Sequence, residues 1–132
     1  MKYLVLLSLF CVLSVQGFEL CSVDDPDFSY IRSYPTGKIP YCERRVSRET
    51  RMFIYESCGV EDYWNYTVDH EYSLWMGGSN NLDNLCPQPK SQSTANFEGR
   101  LYNDVRDGIV PLSQSYELMY ELKDECWCTS FR

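Results

Sequence analysis

The sequence predicts a small α+β domain with little sheet, stabilised by disulfides. Three observations point there. Apolar residues recur at helical spacing in the second half of the chain, one short run alternates as a strand does, and six cysteines follow an apolar leader.

The leader comes first. Met1-Lys2-Tyr3 precedes an apolar stretch from Leu4 to Val15, and Val15-Gln16-Gly17 places small residues where signal peptidase cuts. Residues 1–17 are therefore expected to be a secretory signal, and the mature chain, 18–132, to be secreted. The stretch is shorter than the roughly 20 residues that span a bilayer, and no comparable run follows, so no membrane anchor is expected. Of seven cysteines, Cys11 falls in the leader, which leaves Cys21, Cys42, Cys58, Cys86, Cys126 and Cys128. An even set in an exported chain this small predicts disulfides, because cross-links restrict the unfolded state where a modest core does too little. Their pairing is open from sequence alone. Structural zinc is the weaker alternative, since Cys-x-x-Cys is missing and His70 is the single histidine. Asn65-Tyr66-Thr67 is an N-glycosylation acceptor.

No repeat or linker divides the mature chain, so one domain is expected. Residues 18–38 are predicted to be an irregular arm held by Cys21, with Asp24-Asp25-Pro26-Asp27 and Pro35-Thr36-Gly37 as turns. Residues 39–132 then form the folded domain. Ser47 is the predicted N-cap of a helix from about Arg48 to Ser57, with Glu49 in its first turn, Gly59 just past its end, and Met52 and Tyr55, with Phe53 nearby, on its buried face. Tyr66-Thr67-Val68-Asp69-His70 alternates as a strand, and Gly77-Gly78-Ser79-Asn80 is a turn. Phe97, Leu101 and Val105 share a helix face that Gly108 terminates, although Gly99 inside it costs about 1 kcal/mol relative to alanine. A last helix starts after Ser113 and turns Tyr116, Met119 and either Leu122 or Tyr120 to the core, with Cys126-Trp127-Cys128 pinning the tail. Trp64, Trp75 and Trp127 are expected to be packing aromatics rather than stacking platforms.

Charge restricts the function classes. The chain has 12 basic residues against 19 acidic ones, a net charge of −7, and it loses Lys2 with the leader. Binding to a phosphate backbone needs cations that displace counterions, so an acidic protein must gather its positive charge locally. Lys38, Arg44, Arg45, Arg48 and Arg51 form the one basic cluster, diluted by Glu43 and Glu49. Arg44, Arg48 and Arg51 are candidate phosphate contacts, and a solvated helix face is the plain alternative.

The informative segment is Asp69-His70, Gly77-Gly78-Ser79-Asn80 and Asn84-Leu85-Cys86-Pro87. It resembles the core of HNH (ββα-metal) endonucleases, which runs Asp-His, an apolar stretch, Gly-Gly-Ser-Asn and Asn-Leu-Trp-Pro. Pro40-Tyr41-Cys42-Glu43-Arg44-Arg45-Val46-Ser47 resembles the Pro-Tyr-Cys segment before that motif, and Phe97-Glu98-Gly99-Arg100-Leu101 the helix after it. The resemblance implies a ββα-metal core over residues 64–108 with flanking helices. It also implies hydrolysis of DNA, or less readily RNA, with one Mg²⁺ or Mn²⁺. A histidine with its pKa near 6.5 suits a general base for water, and a divalent cation offsets charge on the phosphate. By resemblance, His70 is that base, Asp69 a metal ligand, Gly77 and Gly78 turn residues, and Asn84 the residue that pins the loop between two short strands.

The departures are at the site. Where the family carries a histidine or asparagine ligand at the start of the following helix, Gln92 stands here, with Asn96 one turn on, and Cys86 replaces a tryptophan. Two functions follow as expectations: a secreted metal-dependent endonuclease, or a non-catalytic secreted binding or effector protein on the same scaffold, with nucleic acid or another protein as partner. The chain is taken as a monomer.

Overall fold

The computed structural model describes residues 19–123 and Cys128. The leader, Cys11, Cys126 and Trp127 lie outside the described residues, so the expectations placed on them do too. The chain is α+β. Two separate two-stranded antiparallel sheets, β1 (Phe28–Tyr34) with β2 (Gly37–Cys42) and β3 (Tyr66–His70) with β4 (Leu85–Pro89), are joined by α1 (Arg48–Ser57) and followed by α2 (Ala95–Arg106) and α3 (Leu112–Leu122).

The expected irregular arm is a correction. Residues 28–38 belong to a β-hairpin that turns at Pro35-Thr36 and pairs Tyr34 with Gly37 and Ile31 with Pro40. The boundary at 38/39 therefore falls inside β2. Tyrosine and isoleucine favour the pleated state, and this outweighs the turn residues at either end. Ahead of the hairpin the chain does run irregularly, but it is tied down. Cys21 is disulfide-bonded to Cys42, its N–H donates to the Gly77 carbonyl at 2.7 Å, and the Ser79 N–H donates to the Glu19 carbonyl at 2.8 Å.

The helix α1 has the predicted bounds because Ser47 caps it, its Oγ accepting the Thr50 N–H at 3.0 Å. Its buried face differs from the expected one: Ile54 and Tyr55 are buried, Met52 is only partly so, and Phe53 is half exposed. That face meets Val68, Leu85, Cys58 and Cys128 to form one small core against the β3–β4 ribbon. The Cys58–Cys128 bridge closes a loop of 70 residues, a restriction of the unfolded chain on the order of 4 kcal/mol. Cys86 is disulfide-bonded as well.

Residues of β4 pair from Leu85, opposite His70, to Pro89, opposite Tyr66. Two prolines in five residues argue against a strand, yet a two-stranded ribbon tolerates them because only alternate N–H groups face the partner. In α2, Leu101 and Val105 are buried as the spacing predicts, whereas Phe97 is 37% exposed. The last helix begins two residues earlier than expected, after Pro111, and buries Leu112, Ser115 and Met119, with Tyr116 and Leu122 partly buried and Tyr120 exposed. With Met76 these residues of α2 and α3 make a second core. The two cores flank the loop 71–84 and so hold both ends of the segment that carries Asp69 and His70.

Candidate functional site

Strand β3 ends in Asp69 and His70, and alternation along it sends the two side chains in different directions. His70 is buried at 3% exposure, and its Nε2 lies 3.0 Å from Asn80 Oδ1. The Asn80 amide nitrogen donates to Asp27 Oδ2 at 2.9 Å and to the Glu43 carbonyl at 2.7 Å. Those two acceptors fix which way the amide points, so its oxygen faces the ring and His70 Nε2 is the donor. In the neutral ring, Nδ1 then carries the lone pair. Burial above all, joined by Arg44 and Lys123, holds the imidazole pKa below its usual value against the opposing pull of the Asn80 hydrogen bond and Asp69.

The loop that carries Asn80 is locked by a fully buried Asn84. Its Nδ2 donates to the carbonyls of Tyr72 (3.0 Å) and Ser79 (2.8 Å), and its Oδ1 accepts the Tyr72 N–H (2.8 Å). Gly77 adopts φ +90°, the left-handed region that favours glycine, and any Cβ on Gly78 would overlap the Tyr72 carbonyl. Both glycines serve the turn.

Asp69 divides its carboxylate. Oδ1 accepts the His70 N–H at 2.9 Å, and Oδ2 meets the Lys123 ammonium at 2.5 Å. The same ammonium reaches Glu98 Oε1, from α2, at 2.5 Å and the His70 carbonyl at 2.8 Å. Its side chain is 1% exposed, and three N–H donors meet three oxygens. Gln92 and Asn96 are exposed and take no part in this cluster; Gln92 lies on a small depression beside Leu122 and Lys123. The residue of α2 that converges with Asp69 is Glu98.

This arrangement decides how a divalent ion fits. The oxygens of Asp69, Glu98 and His70 are the hard donors Mg²⁺ or Mn²⁺ takes, but they converge on Lys123 Nζ. As folded, the site does not fit the metal that the motif implies. Among the described residues, one other group has metal-ligating atoms in mutual reach, Cys21, Asp25 and Cys42, and its two sulfurs are bonded to each other, which leaves no thiolate.

Around the site runs an open surface. A cleft of about 430 Å³ has Asp69 and His70 in its lining, with Arg32 and Tyr41 from the hairpin and Glu98 and Gly99 from α2. Arg32 stacks over the Tyr41 ring at 4.5 Å. A second groove, about 370 Å³, lies along β3 between Arg44, Arg48, Arg51, Lys90, Tyr63 and Tyr66. Arg44 lines both, its Nη2 donating to the Val68 carbonyl at 3.2 Å. Trp75 is half-buried in the cleft, and Trp64 is 62% exposed, which departs from its expected packing role. Asn65 is exposed in the turn before β3, its amide on Asp62.

The chain matches no protein-family model, no curated protein and no solved structure. No comparison therefore bears on the expected resemblance to HNH-type proteins, which was drawn from the motif residues. Sequence reasoning missed Asn80 as the partner of His70, although it belongs to the Gly-Gly-Ser-Asn run, and missed Glu98, although it belongs to the Phe97-Glu98-Gly99-Arg100-Leu101 segment. It had no signal for Lys123, which meets Asp69 across 54 residues.

Proposed function

We propose that this protein is an extracellular nucleic-acid-binding protein on an HNH-like ββα scaffold, made of β3, β4 and α2, and that it does not hydrolyse its ligand with a metal ion. The observation that carries the reading is where unpaired positive charge stands. Among the described residues, Arg45, Arg106 and Lys123 are paired with carboxylates. Of the other cations, Lys38 and Arg100 stand outside the two adjoining clefts along β3, and Arg32, Arg44, Arg48, Arg51 and Lys90, in no ion pair there, line them. An acidic chain that leaves these cations unneutralised on one face has a local polyanion site in spite of its net charge. DNA is the first ligand to try and RNA the second. The apolar leader, the disulfides and the exposed Asn65 acceptor support an extracellular site of action, and no helix among the described residues is long and apolar enough to cross a membrane.

The trial is fluorescence anisotropy with labelled DNA and RNA strands across a salt series, run with Mg²⁺ and with EDTA. Binding is expected to ignore EDTA, and Arg48→Ala with Arg51→Ala is expected to weaken it and reduce the log–log salt slope by about two. Strands that fail to bind at low salt sink the reading in favour of a protein partner.

A second reading, the metal-dependent endonuclease, is favoured by one observation: His70 lines the cleft, its pKa lowered by burial and its Nε2 held by Asn80. It needs the cation of Lys123 to leave. Plasmid cleavage by wild type in Mg²⁺ or Mn²⁺ that His70→Ala abolishes establishes the endonuclease, and equal background in both proteins removes it.

A further inference from the structure

We propose that Lys123 has taken the place of a divalent cation, and that the three oxygens around its ammonium form a latent metal site that opens when this side chain is removed. The inference starts from the donor set. Two carboxylates and a backbone carbonyl, from the end of β3 and the first turn of α2, point at one spot. Oxygen-only clusters with two acidic groups are what Mg²⁺, Ca²⁺ and Mn²⁺ select. Ser73 Oγ donates to Glu98 Oε1 at 3.3 Å and so helps to hold that carboxylate in place.

The spot is filled by a group that copies part of what a metal does there. An ammonium offers positive charge and three directed donors, and here all three are used at 2.5, 2.5 and 2.8 Å. Those are hydrogen-bond distances, longer than the 2.0–2.1 Å or so at which Mg²⁺ holds oxygen. Unlike a metal, the ammonium keeps no open position for water or phosphate, since its side chain is 1% exposed. Lys123 therefore supplies the charge that keeps Asp69 and Glu98 together without the Lewis acidity that hydrolysis would use. The site differs from the pattern of the motif as well, because its second acid is Glu98 and its third oxygen is the carbonyl of the base itself.

Without the lysine charge the two carboxylates repel each other, and the site then loosens, holds a proton between them or takes up a metal. A divalent cation is the occupant that restores positive charge to both carboxylates at once.

The experiment is Mn²⁺ titration of the full-length secreted protein, followed by electron paramagnetic resonance for bound ion and by thermal unfolding. In wild type, millimolar Mn²⁺, Mg²⁺ and EDTA are expected to give the same Tm, with no bound Mn²⁺ that Asp69→Asn removes. Lys123→Ala is expected to bind a single Mn²⁺ per chain and to gain about 5 °C or more in Tm from it. Adding Glu98→Gln should cancel both gains. If Lys123→Ala folds only when refolded with Mn²⁺, the proposal is supported in the same way. Lys123→Met keeps the apolar stem, and should this variant fold yet ignore Mn²⁺, the proposal is overturned. Failure of both variants to fold in Mn²⁺ overturns it too, and so does Asp69-dependent Mn²⁺ binding by wild type. None of these readouts involves nucleic acid, so this inference and the proposed function can fail separately.

Discussion

Replacing Asn84 with alanine tests how the loop builds the site. The side chain is fully buried and serves three backbone groups, the N–H and carbonyl of Tyr72 and the carbonyl of Ser79, at 2.8–3.0 Å. Alanine leaves all three without their partner in a place closed to water. At a net cost of about 1 kcal/mol for each, Asn84→Ala should lose about 3 kcal/mol. For a domain of this size the unfolding entropy is about 0.24 kcal/mol per degree, so Tm should fall by roughly 12 °C. Urea unfolding at neutral pH with disulfides intact measures the first figure, and circular dichroism on heating the second. Asn96→Ala, an exposed change on the first turn of α2, is the control and should stay within about 0.5 kcal/mol. The site should respond as well, because Asn80 sits inside the pinned loop: a slackened loop weakens its hold on His70 Nε2, and the single imidazole, visible by NMR, should titrate differently. A loss under about 1 kcal/mol would mean that solvent or a shifted loop satisfies the freed groups, and that the argument for a rigid site is wrong.

Two further outcomes follow from the same geometry. His70 prefers the neutral form in the fold, so its folded pKa lies below the unfolded value of about 6.5. The unfolded chain then binds more protons as pH falls below that value, and stability should decline from about pH 6.5 downward and level off below the folded pKa. Denaturant midpoints measured between pH 8 and pH 5 should show this slope, and His70→Gln should remove it; an unchanged slope in the variant assigns it to other groups. Gly99 lies mid-helix at the cleft, where an added Cβ meets nothing within 4 Å, so Gly99→Ala should stabilise the protein by about 0.5–1 kcal/mol. If the glycine is there to let a ligand approach the helix backbone, the same variant should bind nucleic acid more weakly, and stronger or equal binding counts against a ligand in that cleft.

How much of this was legible in the sequence depends on how far each cause reaches along the chain. Local causes were legible. Ser47 set the start of α1, and the alternation of residues 66–70 set β3, because a cap and a pleat act within a few positions. The hairpin was misjudged because its turn residues look like disorder until strand pairing, a contact between distant positions, gives them a partner. Periodicity did not show strand β4, which only the motif implied, because the effect of Pro87 and Pro89 depends on which N–H groups face β3. At the site, the Asp-His pair could be found from its neighbours in sequence. Counting along a motif pointed to Gln92 and Asn96 for the third oxygen, while folding delivers Glu98, because helix phase rather than residue count decides which side chain of α2 turns to β3. Lys123 follows a third helix packed on the second core, and no local rule connects it with Asp69.

On the proposed reading, the lysine also bears on how an acidic chain would keep a face for polyanions. Asp69 and Glu98 both line the cleft that adjoins the row of unpaired cations, and as free carboxylates they would repel a phosphate there. With Lys123 between them, their field is offset from within the protein, at a point where no ligand can compete for the ammonium because it is already surrounded by three oxygens. Arg44, in both clefts, then faces a floor where one ammonium offsets half the charge of the two carboxylates. A soluble metal ion would do the same while leaving binding dependent on its concentration. A lysine fixed in the fold makes the electrostatics of the groove a constant of the protein, which suits a binder and withholds the Lewis acid that a hydrolase on this scaffold would require.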